Sequence, residues 1–136
     1  MSDQSLPNSA DARPKPAILL AIPFLLAIGL VVYAQGSFSG FAVWNAVPVG
    51  LGFAVILVGR RFTRAVRVAG VVFAAVAALL VVLFHLAWLF DWGGTATRSS
   101  TSALAFIVVP FWACILAGVA GVVAWGLGRT VFNSRV

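Results

Sequence analysis

The stretch VAGVVFAAVAALLVVLFHLAWLF, residues 68–90, holds a single ionisable side chain, that of His85. A run of about 20 predominantly apolar residues is long enough to cross the hydrocarbon core of a bilayer as an α-helix. The run lacks the alternation of apolar and polar residues that a membrane-spanning strand requires. Because every backbone polar group in lipid must find its partner within its own segment, we expect a transmembrane helix here.

The same apolar pattern recurs along the chain. The four predicted spans are residues 16–34, 40–58, 68–90 and 103–127. Hydrophobic residues make up 62% of the chain and charged residues 9%, which lies outside the range of soluble globular domains. The sequence therefore predicts an all-α polytopic membrane protein, an antiparallel bundle of four transmembrane helices over residues 16–128. Residues 1–15 are expected to form a flexible tail and residues 129–136 a short tail.

Basic residues sort the ends of the spans into two groups. The tails and the loop between spans two and three carry Arg13, Lys15, Arg60, Arg61, Arg64, Arg67, Arg129 and Arg135, whereas Arg98 alone lies in a loop on the other side. Because basic residues stay on the cytoplasmic side, both termini are expected to be cytoplasmic. The net charge of +6 then reflects topology and contact with anionic lipid headgroups, not binding of nucleic acid. The richness in Arg, Ala, Val and Gly suggests a bacterial inner (plasma) membrane.

Two alternatives stay open. The first span, with basic residues before it and Val32 and Ala34 near its end, has features of a cleavable signal peptide, although its length and Pro23 argue against cleavage. In the central loop, Arg60, Arg64 and Arg67 have helical spacing. They could line a short surface helix that faces lipid phosphates, or act only as a topogenic signal.

Polar and helix-bending residues concentrate in the outer halves of the spans. Asn45 and Pro48 lie on span two, His85 on span three and Pro110 on span four. Each proline deprives the carbonyl four residues earlier, that of Trp44 or Phe106, of its helical partner. Asn45, His85 and nearby Ser or Thr hydroxyls could supply the missing donors.

These residues suggest a ligand-binding pocket open to the extracytoplasmic side. The residues predicted to line it are Trp44, Asn45, His85, Trp88, Arg98 and Trp112. The positive dipole end at the start of span four would favour a small anion or an anionic headgroup. The competing interpretation is that the same side chains only tie helices together through ordinary interhelical hydrogen bonds.

The few ionisable side chains limit the chemistry. His85 and Asp91 point about 120° apart on a helix, so they cannot form an acid–base pair. Trp88 and Trp92 suit an interfacial aromatic belt, and Asp91 would mark the exit of span three into water. The chain has one Cys, Cys114, no Glu, and none of the common phosphate-loop, metalloprotease or nucleophile motifs. We therefore expect a protein that is not an enzyme and has no metal centre or cofactor.

Small residues at four-residue spacing indicate how the helices meet, because they let helix backbones approach in lipid. The rows are Ala46, Gly50 and Ala54; Gly70, Ala74 and Ala78; Ala113, Ala117 and Gly121; and Ala120, Ala124 and Gly128. Two rows on span four could serve two neighbours.

The leading hypothesis is a structural or accessory membrane protein acting through helix contacts with itself or a larger complex. The alternative is a binding or transport protein for a small molecule, an anion or a lipid headgroup. A third is a pore-forming oligomeric effector.

Overall fold

Four long α-helices make up most of the part of the chain that the computed structural model describes, residues 15–98 and 101–133. They are α1 (Lys15–Ala34), α2 (Gly40–Gly59), α3 (Arg64–Leu89) and α4 (Ala105–Asn133). No strand occurs in the described residues, which confirms the all-α prediction. Most of the predicted tail over residues 1–15 lies outside the described part of the chain. At the other end, α4 continues past Leu127 to Asn133.

Length and apolarity make three of the helical segments able to cross a membrane. These are Gly40–Gly59, Arg64–Leu89 and Ser102–Val131, while the described apolar part of α1, Leu19–Ala34, is shorter. Many large apolar side chains point outward along them, including those of Leu26 and Val122. Since lipid tails are as apolar as these side chains, the outward-facing surface is compatible with a small membrane protein.

The connection between α2 and α3 is shorter than the sequence suggested. The backbone N–H of Arg60 donates to Val58 O at the end of α2, and α3 already begins at Arg64. The N–H of Arg67 donates to Thr63 O within the first turn of α3. The separate surface helix considered for Arg60, Arg64 and Arg67 is therefore wrong, because two of these arginines belong to α3 itself.

The contact between α2 and α3 forms the centre of the bundle. Both helices contact α1 and both contact α4, whereas no Cα atom of α1 lies within 8 Å of a Cα atom of α4 in the described residues. A Cβ atom added at Gly52 would lie 2.9 Å from Ala74 Cα, and one added at Gly70 would lie 3.1 Å from Val55 Cγ1. These two pairs show that α2 and α3 run antiparallel. Glycine is needed at position 52, because the nearest atom there belongs to the backbone of α3, whereas at position 70 the Val55 side chain would have to shift.

The buried core consists of small and medium side chains. One cluster combines Ala27, Val31, Ala42, Val49, Val81 and Ala113. The predicted row on α3 lies at the contact, since Gly70 and Ala74 are buried. On α4, Ala113 and Ala117 are buried as well. The row predicted on span two does not lie at this contact, because Gly50 and Ala54 are exposed and Gly52 makes the close approach to Ala74.

The bundle has two chemically distinct ends. We call the end that holds residues 60–67 the arginine end. The end that holds Asp91, where α3 stops and the connection to α4 begins, is the aspartate end. In that connection two short 3-10 turns, Trp92–Gly94 and Ser102–Leu104, precede α4.

Candidate functional site

Two polar side chains are completely buried near the aspartate end. Asn45 on α2 and His85 on α3 both have 0% exposure. The Asn45 Nδ2 donates to Phe41 O at 2.9 Å, and His85 Nδ1 lies 2.7 Å from Val81 O. Because a carbonyl oxygen only accepts, the proton of that second bond belongs to Nδ1. The prediction that these side chains satisfy the carbonyls of Trp44 and Phe106 is wrong, since each bonds a carbonyl one turn earlier in its own helix.

Each of these side chains keeps one buried polar atom without a partner. These atoms are Asn45 Oδ1 and His85 Nε2. With its proton on Nδ1, a neutral imidazole presents Nε2 as an acceptor, so both atoms seek a donor. Leaving a buried acceptor unsatisfied costs about 1–3 kcal/mol. Asn45 and His85 are therefore sealed core residues in this structure, and neither side chain faces an open cavity.

An aromatic cluster surrounds His85 and joins α3 to α4. The Phe106 ring centroid lies 5.0 Å from that of Phe84, 5.6 Å from that of His85 and 4.5 Å from that of Trp88. Trp44 extends this layer to α2, because its Nε1 donates to Ile107 O at 3.1 Å. Trp44 is thus a predicted site residue that makes an interhelical hydrogen bond.

A cleft opens at the aspartate end where α1 and α4 stand apart. It has a volume of about 450 Å³. We call it the aspartate-end cleft, and its lining residues are Ala34, Gln35, Ser39, Phe41, Trp88, Ala103, Leu104, Phe106 and Ile107. Gln35 Nε2 is buried there without a hydrogen-bond partner. Ser39 Oγ accepts a hydrogen bond from the Ala42 N–H at the start of α2.

The remaining predicted pocket residues lie elsewhere. Trp112 lines a second cavity of about 530 Å³ between α3 and α4, together with Trp92 and Leu116. Arg98 lies in the connection between α3 and α4, where its N–H donates to Gly94 O at 2.9 Å. The six residues predicted to share one pocket therefore lie apart. Asn45 and His85 are in the core, Trp88 lines the aspartate-end cleft and Trp112 lines the second cavity. Arg98 is in the connection, and Trp44 makes the hydrogen bond between α2 and α4.

Asp91 organises the connection between α3 and α4. Its backbone is left-handed, with φ 49°. Oδ1 accepts from the N–H groups of Ala96 at 2.8 Å and Thr97 at 3.2 Å, and Oδ2 accepts from Thr97 Oγ1 at 2.6 Å. The bonds from the Thr97 hydroxyl and the Ala96 amide lower the pKa of the carboxyl below its ordinary value. Sequence reasoning missed this role, although an Asp before a Gly pair and a nearby Thr is the composition of such a turn.

At the arginine end, a shallow groove follows the start of α3. Its volume is about 370 Å³ and its lining residues are Arg64, Arg67, Val68, Val71 and Val72. We call it the arginine groove. Of the four arginines predicted to contact lipid headgroups, Arg64 and Arg67 line this groove. The other two, Arg60 and Arg61, lie exposed in the connection between α2 and α3.

A third feature lies in the arginine half of the bundle, where α2 and α4 diverge over α3. We call it the glycine crevice. It measures about 260 Å³ and is lined by Val55, Val66, Ala69, Gly70, Phe73, Gly118, Gly121, Val122 and Trp125. A Cβ atom added at Gly118 would meet nothing within 4 Å. The backbone of α4 is therefore open to a neighbour at this point.

No protein family model, curated protein or solved structure matches this chain. Three of the clefts described above differ in their chemistry. The aspartate-end cleft is apolar with one amide donor, the arginine groove is cationic above an apolar floor, and the glycine crevice is wholly apolar.

Proposed function

We propose that this chain is a small, non-enzymatic integral membrane protein that acts as a structural or accessory component, through helix contacts with itself or a larger membrane complex. The glycine crevice carries this proposal. Its floor contains Gly70 and Gly121, and its rim contains the open Gly118. Small residues drive helix association in lipid because they allow close backbone contact. A helix from a second copy of this chain is the occupant that we propose.

The proposed topology places the arginine end in the cytoplasm, with all four helices crossing a bacterial inner membrane. The bias of basic residues toward that end supports it. Tags at either terminus should then be inaccessible from outside intact cells. Labelling of a terminal tag by an impermeant reagent would contradict the proposed topology.

Cysteine cross-linking tests the proposed contact, because Cys114 is the only cysteine of the chain. In a Cys114→Ala background, Val122→Cys places a thiol at the glycine crevice, at a residue that is 67% exposed. Leu116→Cys is the matched control on the same helix, since Leu116 is 47% exposed and lines the second cavity instead. Mild oxidation of native membranes should yield a cross-linked dimer for Val122→Cys and not for Leu116→Cys.

A pair of glycine variants separates association from folding. Cβ atoms added at Gly118 and Gly50 both meet open space, so both leucine variants should fold. Gly118→Leu fills the crevice and should abolish dimerisation, whereas Gly50→Leu should leave it intact. Equal dimerisation of the two variants would refute self-association through this crevice. If both variants still co-purify with a larger complex, the contact with that complex lies outside the glycine crevice.

A second candidate function, binding at the aspartate-end cleft, is favoured by the unpartnered Gln35 Nε2. Ligand sites of about 300–1,000 Å³ are mostly apolar and aromatic with a few placed polar groups, and this cleft has that character. Its described lining residues are uncharged, and Arg98 does not line it. The favoured occupant is therefore an uncharged amphiphile with an acceptor oxygen for Gln35, and not the small anion considered from the sequence.

Thermal stability of the purified protein tests this second function. A monoacylglycerol should raise the melting temperature of the unmodified chain, because a ligand that binds only the folded state stabilises it. Gln35→Leu should reduce that increase, while the ligand-free melting temperature should stay the same or rise, because the substitution removes a buried polar atom without a partner. An equal increase in both proteins would show that Gln35 does not take part in ligand binding.

The third hypothesis, a pore-forming oligomer, has less support. The described helix contacts in the arginine half of the bundle are apolar, which does not favour a pore.

A further inference from the structure

The arginine groove has the form of a site for one lipid molecule. Arg64 and Arg67 are three residues apart on α3, so their side chains share one side of the helix. Val68, Val71 and Val72 continue the same surface toward the middle of the bundle. All the lining residues belong to α3, and Val68 and Val71 are 39% and 53% exposed. The groove therefore opens toward the surrounding lipid and not toward another helix of the bundle.

The electrostatics of the groove favour a negative charge at the arginine end of the bundle, next to the first turn of α3. The N-cap residue of α3, Thr63, makes no side-chain hydrogen bond to the first turn of the helix. The helix dipole adds positive potential at the same place. Asp91, the one acidic residue in the part of the chain that the structure describes, lies beyond the opposite end of α3.

We propose that the arginine groove binds one anionic glycerophospholipid. Its phosphate lies between the guanidinium groups of Arg64 and Arg67, and one acyl chain follows Val68, Val71 and Val72. Guanidinium groups bind phosphate oxygens through paired, charge-assisted hydrogen bonds. Long arginine side chains at a helix end reach the headgroup layer while their methylene groups stay on apolar surface. Arg60 and Arg61 do not line the groove, so they contribute only diffuse attraction.

Native mass spectrometry of the full chain, extracted from vesicles containing phosphatidylcholine and phosphatidylglycerol, tests this site. The unmodified protein should retain one phosphatidylglycerol molecule. Arg64→Gln with Arg67→Gln should weaken that binding by about tenfold or more, which corresponds to the loss of about 1.4 kcal/mol. Arg60→Gln with Arg61→Gln removes the same charge from the same end and should retain the lipid. Equal weakening in the two double variants would overturn the proposal in favour of diffuse electrostatics.

A variant that changes no charge should leave the orientation of the protein in the membrane unaltered, so it tests the groove separately from topology. Val71→Trp fills the groove at an exposed position without altering any arginine, and it should also lose the bound phosphatidylglycerol. Retention of the lipid by Val71→Trp would overturn the acyl-chain contact. Inorganic phosphate in excess should fail to displace the lipid, because it has no chain to occupy the valine surface. Displacement by phosphate alone would show a simple anion site and contradict a lipid site.

Discussion

Replacing Gly52 by alanine should separate the two central helices. The added Cβ would lie 2.9 Å from Ala74 Cα, 3.1 Å from Ala74 Cβ and 3.6 Å from Ala74 O. Cα belongs to the backbone, so no side-chain rotation relieves the first contact and α2 must move away from α3. Insertion of a methyl group into a packed contact of this kind costs about 1–3 kcal/mol. Because α1 and α4 both pack on this pair, the loss should spread through the whole bundle.

Gly50 is the matched control on the same helix. A Cβ added there meets nothing within 4 Å, and the position is exposed. Gly50→Ala should therefore leave the free energy of unfolding unchanged or raise it by up to about 1 kcal/mol, since alanine is the better helix former. The Gly52→Ala and Gly50→Ala variants should thus differ by roughly 1–4 kcal/mol in the free energy of unfolding.

Reversible unfolding in mixed micelles measures this difference. The fraction of denaturing detergent at the midpoint is followed by tryptophan fluorescence, because Trp44 and Trp88 lie in the layer that joins α2, α3 and α4. Gly52→Ala should unfold at a clearly lower fraction than Gly50→Ala. If the two variants unfold together, the close approach at Gly52 and Ala74 does not stabilise the bundle, and the central role of the α2–α3 contact is wrong.

Three further predictions concern the aspartate end. Trp44→Phe removes the hydrogen bond to Ile107 O and should lower the free energy of unfolding by about 0.5–1.5 kcal/mol in the same micelle titration, whereas Trp112→Phe should change it less. Because hydrogen bonds lower the pKa of Asp91 in the folded state, its carboxylate stabilises the turn above the unfolded pKa, and that contribution is lost as the pH falls through the lowered folded pKa. The protection of the Ala96 and Thr97 amides against hydrogen exchange, measured relative to the intrinsic rate at each pH, should therefore fall in strong acid, and Asp91→Ala should lower it at neutral pH; unchanged protection in that variant would contradict the role of Asp91. The ¹⁵N spectrum of His85, the only histidine, should show the proton on Nδ1, and a proton on Nε2 alone would contradict the bond to Val81 O.

Apolar run length was sufficient to find the helices in the sequence. Residues 40–58 and 68–90 predicted α2 and α3 because lipid leaves a long apolar segment no other way to satisfy its backbone. The start of α3 was placed too late, at Val68 instead of Arg64. A search for uncharged apolar segments ends a predicted span at the nearest arginine. The helix backbone nevertheless includes Arg67, because its long side chain can reach polar surroundings.

The site could not be assembled from the sequence, because it depends on which faces meet. Four-residue spacing picked Gly50 and Ala54 as the contact of span two, yet the close contact lies at Gly52. A shift of two residues turns the contact face of a helix by about 200°. That rotation directs Asn45 into the core, where its exposure is 0%. A shared pocket would require Asn45, Trp112 and Arg98 to lie on surfaces that meet, and in the structure these residues do not meet.

The depth of Asn45 and His85 follows from the same contact. Gly52 faces Ala74, and two turns toward the aspartate end bring Asn45 level with Val81 on antiparallel helices. The Asn45 amide reaches one turn back to Phe41, while the His85 ring reaches one turn back to Val81. The two side chains therefore overlap in depth on facing helices, each with one unpartnered acceptor. Two acceptors cannot satisfy each other, so close packing around Gly52 and in the aromatic cluster must offset the cost of these two buried acceptors.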